Sequence, residues 1–123
     1  MRVQDKLAQL YGAIILIFPS RCLPSSVLEF LPKDFKCDVY TGFVEVVYRE
    51  IDNIRSLEID DLLTQLFENC NLDLLCTLIA DYKIKILIDI SFRHFSKFPA
   101  LVFEGKNMQI IHQLQADISI DPY

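Results

Sequence analysis

KIKILIDISFRHF, running from Lys83 to Phe95, alternates apolar and polar residues almost throughout. Ile84, Ile86, Ile88, Ile90 and Phe92 share one face, while Lys83, Lys85, Asp89, Ser91 and Arg93 share the other. Successive side chains of a strand point to opposite faces, so the stretch predicts a strand with one buried and one wet face. Ile118 and Ile120, set among Asp117, Ser119 and Asp121, repeat the pattern near the end of the chain. A sheet that is greasy on one side must be sealed there by helices, and its other side stays open to water or to a partner.

Working outward, Tyr11 to Phe18 is apolar on both faces, which suits a strand in the middle of the sheet. Pro19 stops it. Pro24 suits the first turn of a short helix carrying Val27, Leu28 and Leu31, which Pro32 ends. Lys33 to Asp38 reads as a polar connection, and Tyr40 to Tyr48 as a second strand with Val44, Val46 and Tyr48 inward and Glu45 and Arg49 outward. Asp52 to Glu58 reads as a loop or short extra strand. From Ser56 or Leu57 a helix begins whose buried stripe is Ile59, Leu62, Leu63, Leu66, Phe67 and Cys70, with Asp60, Asp61, Gln65 and Glu68 opposite. Asn69 and Asn71 separate it from a helix bearing Leu72, Leu75, Cys76 and Ile79 and ending near Tyr82. Beyond the alternating strand, Pro99 and Gly105 bracket an extended piece, Ala100 to Phe103. A helix over Lys106 to Gln115 turns Met108, Ile111 and Leu114 inward, and a final strand runs to Tyr123. The expected fold is a single α+β domain over residues 1–123. Its sheet is mostly antiparallel with helices on one face, in the order β-α-β-α-α-β-α-β.

The composition narrows the function. The 123 residues are 52% hydrophobic and 24% charged, a balance that suits one globular domain. A formal charge of −5 argues against nucleic acid as a partner, since phosphate backbones require clustered Lys and Arg. Cys22, Cys37, Cys70 and Cys76 form no C-x-x-C pair and read as buried reduced thiols, with the cytoplasm as the default compartment. Arg2 and Lys6 ahead of Ala13 to Phe18 loosely imitate a signal peptide. Asp5 and Gln9 interrupt the approach, no small-x-small site follows, and the run is too short to span a bilayer.

Chemistry-bearing motifs are scarce. His94 and His112 could share a metal or a proton, but nothing nearby supplies a third ligand at a recognisable spacing. There is no G-x-S-x-G, and Gly12, Gly42 and Gly105 are isolated, so no phosphate-cradling loop and no cofactor is implied. Asp89, Asp117 and Asp121 fall on outward registers and would meet Lys83, Lys85 and Arg93 if the two strands pair. A second acidic concentration runs through Glu45, Glu50, Asp52, Glu58, Asp60, Asp61 and Glu68, with Tyr48 as a candidate apolar anchor and Phe43 nearby.

Several of these segments carry a family resemblance. They are SLEIDDLL from Ser56 to Leu63, the helix pair after it, the alternating strand, and LQADISIDPY from Leu114 to Tyr123. Together they resemble the bacterial domain of unknown function 4279 family over nearly the whole chain. That family closes with a helix running into a short alternating strand ending in Asp-x-Tyr, matched here by Asp121 and Tyr123. Members often carry a Trp and a Gly-rich piece between the first and middle helices; this chain has no Trp and is short there. The resemblance transfers no catalytic residue. Small acidic α+β proteins of this kind resemble immunity proteins, which neutralise bacterial toxins. The leading expectation is therefore a cytoplasmic, non-enzymatic immunity protein. It would occlude a basic, nuclease-like toxin domain through Glu45, Tyr48, Glu50, Asp52, Glu58, Asp60 and Asp61. The alternatives are a small enzyme or metal-binding domain built on His94 and His112 with nearby carboxylates, and a homo-oligomeric structural module.

Overall fold

A computed structural model describes residues 9–20, 23–31, 33, 35–54, 58–68, 70–93, 103 and 105–122. The strands are β1 (Gln9–Phe18), β2 (Lys36–Tyr40), β3 (Phe43–Ile54), β4 (Lys85–Arg93) and β5 (Asp117–Pro122). The helices are α1 (Ser25–Leu28), α2 (Ile59–Phe67), α3 (Leu72–Tyr82) and α4 (Gly105–Gln113). Among the described residues the strands form one sheet in the order β2-β3-β1-β4-β5. The β1–β3, β1–β4 and β2–β3 pairs are antiparallel, whereas β4 and β5 run parallel. A parallel pair needs a crossover, and α4 supplies it. The class is α+β with a mixed sheet, and β1 is its central strand.

The expected alternation holds where it was clearest. Ile84, Ile86, Ile88 and Ile90 are buried. They join Leu10, Ile14, Leu16, Phe18, Val44 and Val46 in one core with Val27 of α1, Leu62, Leu63 and Leu66 of α2, Leu75 and Leu78 of α3, and Ile110 of α4. Lys83 precedes the strand: it ends α3 in the left-handed conformation (φ 55°), donating its N–H to the Ile79 carbonyl.

Three expectations about the elements need correction. Lys36–Tyr40 is a strand, so the order is β-α-β-β-α-α-β-α-β and the sheet has one more strand than the pattern implied. β2 lies on an edge with all five residues exposed, so no hydrophobic alternation marks it. A tight turn at Thr41 and Gly42 joins it to β3; Gly42, at φ +92°, takes a conformation that side chains disfavour. The Tyr40 and Phe43 rings stack across the hairpin with centroids 4.7 Å apart.

Next, β3 runs on to Ile54 and is bulged. Ile14 faces Arg49 while Ile15 faces Val47, leaving Tyr48 as the extra residue. Tyr48 packs against the core, and Arg49 turns to α2, where its Nη2 donates to the Gln65 carbonyl at 3.1 Å. That carbonyl belongs to the last helical turn, where a cation and a donor are both favourable. Arg49 was expected outward; the bulge reverses it. Finally, α4 begins at Gly105 and turns Asn107 and Ile110 inward with Leu114, leaving Met108 48% exposed. The expectations for Cys22, Ser56, Leu57, Asn69, His94, residues 99–102 and Tyr123 lie outside the described residues.

α2 packs against β1 and β3, and one glycine sets how closely. A methyl group at Gly12 would lie 2.9 Å from both Leu62 Cδ2 and Leu66 Cδ1. Gly12→Val is expected to destabilise the protein by about 1–3 kcal/mol, the usual range for an overpacked core. In urea unfolding, Gly12→Val combined with Leu62→Ala should cost less than the sum of the single variants, because the second change makes room for the first.

Candidate functional site

The strand registers place the residues of the uncovered face in rows. One row is apolar: Val47 of β3, Ile15 of β1 and Leu87 of β4, all half-buried, with Lys36 and Asp117 at its ends. The next row sets Glu50, Ala13, Asp89 and Ser119 side by side. Beyond it Tyr11, Ser91 and Asp121 are neighbours, and then Gln9 and Arg93.

Along the polar rows lies a solvent-open hollow of about 830 Å³. Its polar walls are Gln9 and Tyr11 of β1, Glu50 and Asp52 of β3, Asp89, Ser91 and Arg93 of β4, and Lys36 of β2. The β3 bulge makes it: continued alternation would have turned Glu50 toward the helices, and the extra residue delivers it to the open side.

The electrostatics follow from this packing. Lys36 Nζ lies 2.6 Å from Glu50 Oε1, and Tyr11 Oη donates to Glu50 Oε2 at 3.0 Å. Both contacts favour the charged carboxylate and hold the Glu50 pKa below its usual value. Tyr11 is pushed up to about 12 by burial first, then by the Glu50 hydrogen bond and charge, and by Asp89 and Asp52. Asp89 is raised by partial burial and by the charge of Asp121 on the neighbouring strand. Ser119 Oγ donates to Asp121 Oδ2 at 2.9 Å. Asp89, in the wall of the hollow, thus faces a like charge from Asp121 on the neighbouring strand.

Of the residues expected to bind a partner, Glu50 and Asp52 meet in this hollow. Glu45 is half-buried on the same face, in the row of Asp38 and Ile17. Tyr48 faces the covered side with Val44 and Val46, where burial and neighbouring Cys70 raise its pKa, so it is not on the open surface. Glu58 and Asp61 are exposed at the start of α2.

Asp60 was expected on the wet side of that helix and is buried, 7% exposed. Asn107 Nδ2 donates to Asp60 Oδ1 at 2.9 Å and lies 3.0 Å from Thr64 Oγ1, while Thr64 Oγ1 donates to the Asp60 carbonyl at 3.0 Å. The carboxylate therefore joins α2 to α4. The Asp89, Asp117 and Asp121 group does form, because β4 and β5 pair. Tyr11 was read only as strand, and its role depends on a β1–β3 pairing that no local pattern reveals.

His112 is exposed in the last turn of α4, and His94 lies outside the described residues. Among the described residues, no three His, Cys, Asp or Glu side chains converge as metal ligands would. Cys37, expected in the interior, is exposed on edge strand β2, and Cys70 and Cys76 are half-buried; all three are free thiols. No described helix is long and apolar enough to cross a membrane. No family model, curated protein or solved structure matches the chain.

Two outcomes follow. Because Asp89 is raised in the folded state, the stability it contributes is fully present only below the ordinary aspartate pKa and fades as pH rises through the folded value. Asp89→Asn is therefore expected to raise the urea midpoint at pH 7, with the gain shrinking as the pH falls below the ordinary aspartate range. Asn107→Leu removes the buried bond between the Asp60 carboxyl and α4 and is expected to cost about 1–3 kcal/mol in the same assay.

Proposed function

We propose that this chain is an immunity-type protein. It binds a cognate protein toxin domain through the open face of its sheet and acts by occlusion, without catalysis. The observation that carries the reading is the open face itself: an apolar row, Val47–Ile15–Leu87, bordered by a hollow holding Glu50, Asp52 and Asp89. Apolar area that excludes water, flanked by charge that steers encounter, is how protein interfaces combine affinity with fast association. The resemblance to the bacterial domain of unknown function 4279 family and the formal charge of −5 support a basic partner. The cytoplasm is the compartment this role implies.

The residues proposed for contact are Glu50 and Asp52, joined by Asp89 and Asp121, with Glu45, Glu58 and Asp61 able to add long-range attraction. Tyr48 and Asp60 are not proposed as contacts, since both serve the packing of the covered side. The homo-oligomeric alternative rests on edge strand β2, which exposes Val39 and Tyr40. A monomer throughout a light-scattering dilution series removes it.

The test needs a toxin-type gene beside this one and uses its product; a neighbourhood without such a gene counts against the reading. Calorimetry is expected to give an equimolar complex, and Asp52→Lys should weaken it by about tenfold, or roughly 1.4 kcal/mol. Stopped-flow association of the unaltered pair should slow steeply as salt is raised. Absence of a complex, or affinity and rate indifferent to both changes, defeats the reading.

A further inference from the structure

We propose that this chain pairs with a second copy of itself through edge strand β2, the two strands running antiparallel about a two-fold axis at Cys37. The contact lies on the edge of the sheet and not on its open face, so it goes beyond the docking reading and leaves that face free.

The backbone supplies the first reason. Among the described residues no strand pairs with the outer side of β2. The two-residue turn at Thr41 and Gly42 makes Tyr40 and Phe43 the hydrogen-bonded pair that closes the hairpin. Pairs in an antiparallel ladder alternate between bonded and unbonded, so Val39 and Cys37 turn their N–H and C=O groups away from β3. Proteins commonly guard such an edge with a proline, a bulge or a covering element. β2 has no proline, its register with β3 is unbroken, and all five of its residues are exposed. Val39 is 66% exposed although it lies beside Val44 of the core.

The side chains select the occupant. A two-fold axis normal to the sheet keeps like faces together, so it passes between two copies of one residue. Centred on Asp38, it would set two aspartates in contact and Lys36 against Tyr40. Centred on Val39, it would run Cys37 into the partner's turn. Centred on Cys37, it sets Lys36 against the partner's Asp38, and Asp38 against the partner's Lys36, on the open side. On the covered side each Val39 then meets the partner's Phe35, a half-buried aromatic just ahead of the strand. This register places opposite charges together and apolar groups together, which is how cross-strand pairs stabilise a sheet. Lys36 already meets Glu50 at 2.6 Å, and its ammonium carries donors enough for both carboxylates. Because β2 is only five residues long, the contact is small and the dimer weak and reversible.

The test is sedimentation equilibrium of the full chain under reducing conditions, from micromolar concentration to about 1 mM. A reversible monomer–dimer equilibrium is expected. Val39→Lys, at an exposed position, should leave a monomer throughout with the urea midpoint little changed. Asp38→Lys and Lys36→Asp each set like charges across the axis, and each should weaken self-association about tenfold or more. Lys36 is 70% exposed, so its replacement costs the fold little. Mixed together, these two variants regain opposite signs at both contacts and should pair with one another.

A monomer at every concentration, a dimer that survives Val39→Lys, or charge variants that fail to pair when mixed overturns the inference. Since the dimer leaves the open face accessible, a monomer that binds the toxin domain removes this inference alone. A dimer that binds no toxin domain removes the immunity reading alone.

Discussion

The contact of α2 with the sheet at Gly12 is the constraint on which the rest of the molecule depends. β1 is the central strand, flanked by β3 and β4, and α2 covers it where glycine leaves no side chain. Leu62 and Leu66 fill that place, so the helix can approach closely and seal the row above it. Dense packing of this kind leaves little slack, and a shift of α2 would be felt by everything it touches. It holds Arg49 through the Gln65 carbonyl and α4 through the Asp60–Asn107 bond. The covered side is thus tied together through α2, and the open side inherits its geometry.

That inheritance explains the hollow. The β3 bulge turns Arg49 toward α2 and Glu50 away from it. Lys36 and Tyr11 then fix the Glu50 carboxylate, while Asp89, partly buried, faces the charge of Asp121. A carboxylate held at an electrostatic disadvantage on an exposed sheet does not serve stability. Such sites are where proteins commonly trade stability for function.

Legibility in the sequence followed the physics of each signal. The Ile84 to Ile90 alternation and the Ile59 to Phe67 stripe were readable because burial on one face imposes a period on the chain. β2 was not, since an edge strand exposed on both sides imposes none. Asp60 looked like a solvated helix residue because its partner, Asn107, lies 47 positions away. Glu50 and Asp52 were noticed for their charge, but their company was hidden: Tyr11, Asp89 and Ser91 join them only through strand pairing and one inserted residue. Local pattern identifies faces; it does not say which faces become neighbours.

The central place of β1 also bears on how the chain is made. This strand leaves the ribosome before either of its neighbours, and its second flank stays bare until Lys85–Arg93 has been synthesised. Apolar strands with unpaired backbone are prone to join other chains. During translation, then, Gln9–Phe18 is the segment a chaperone would need to shield, and slowing synthesis between β3 and β4 should lower the yield of folded protein.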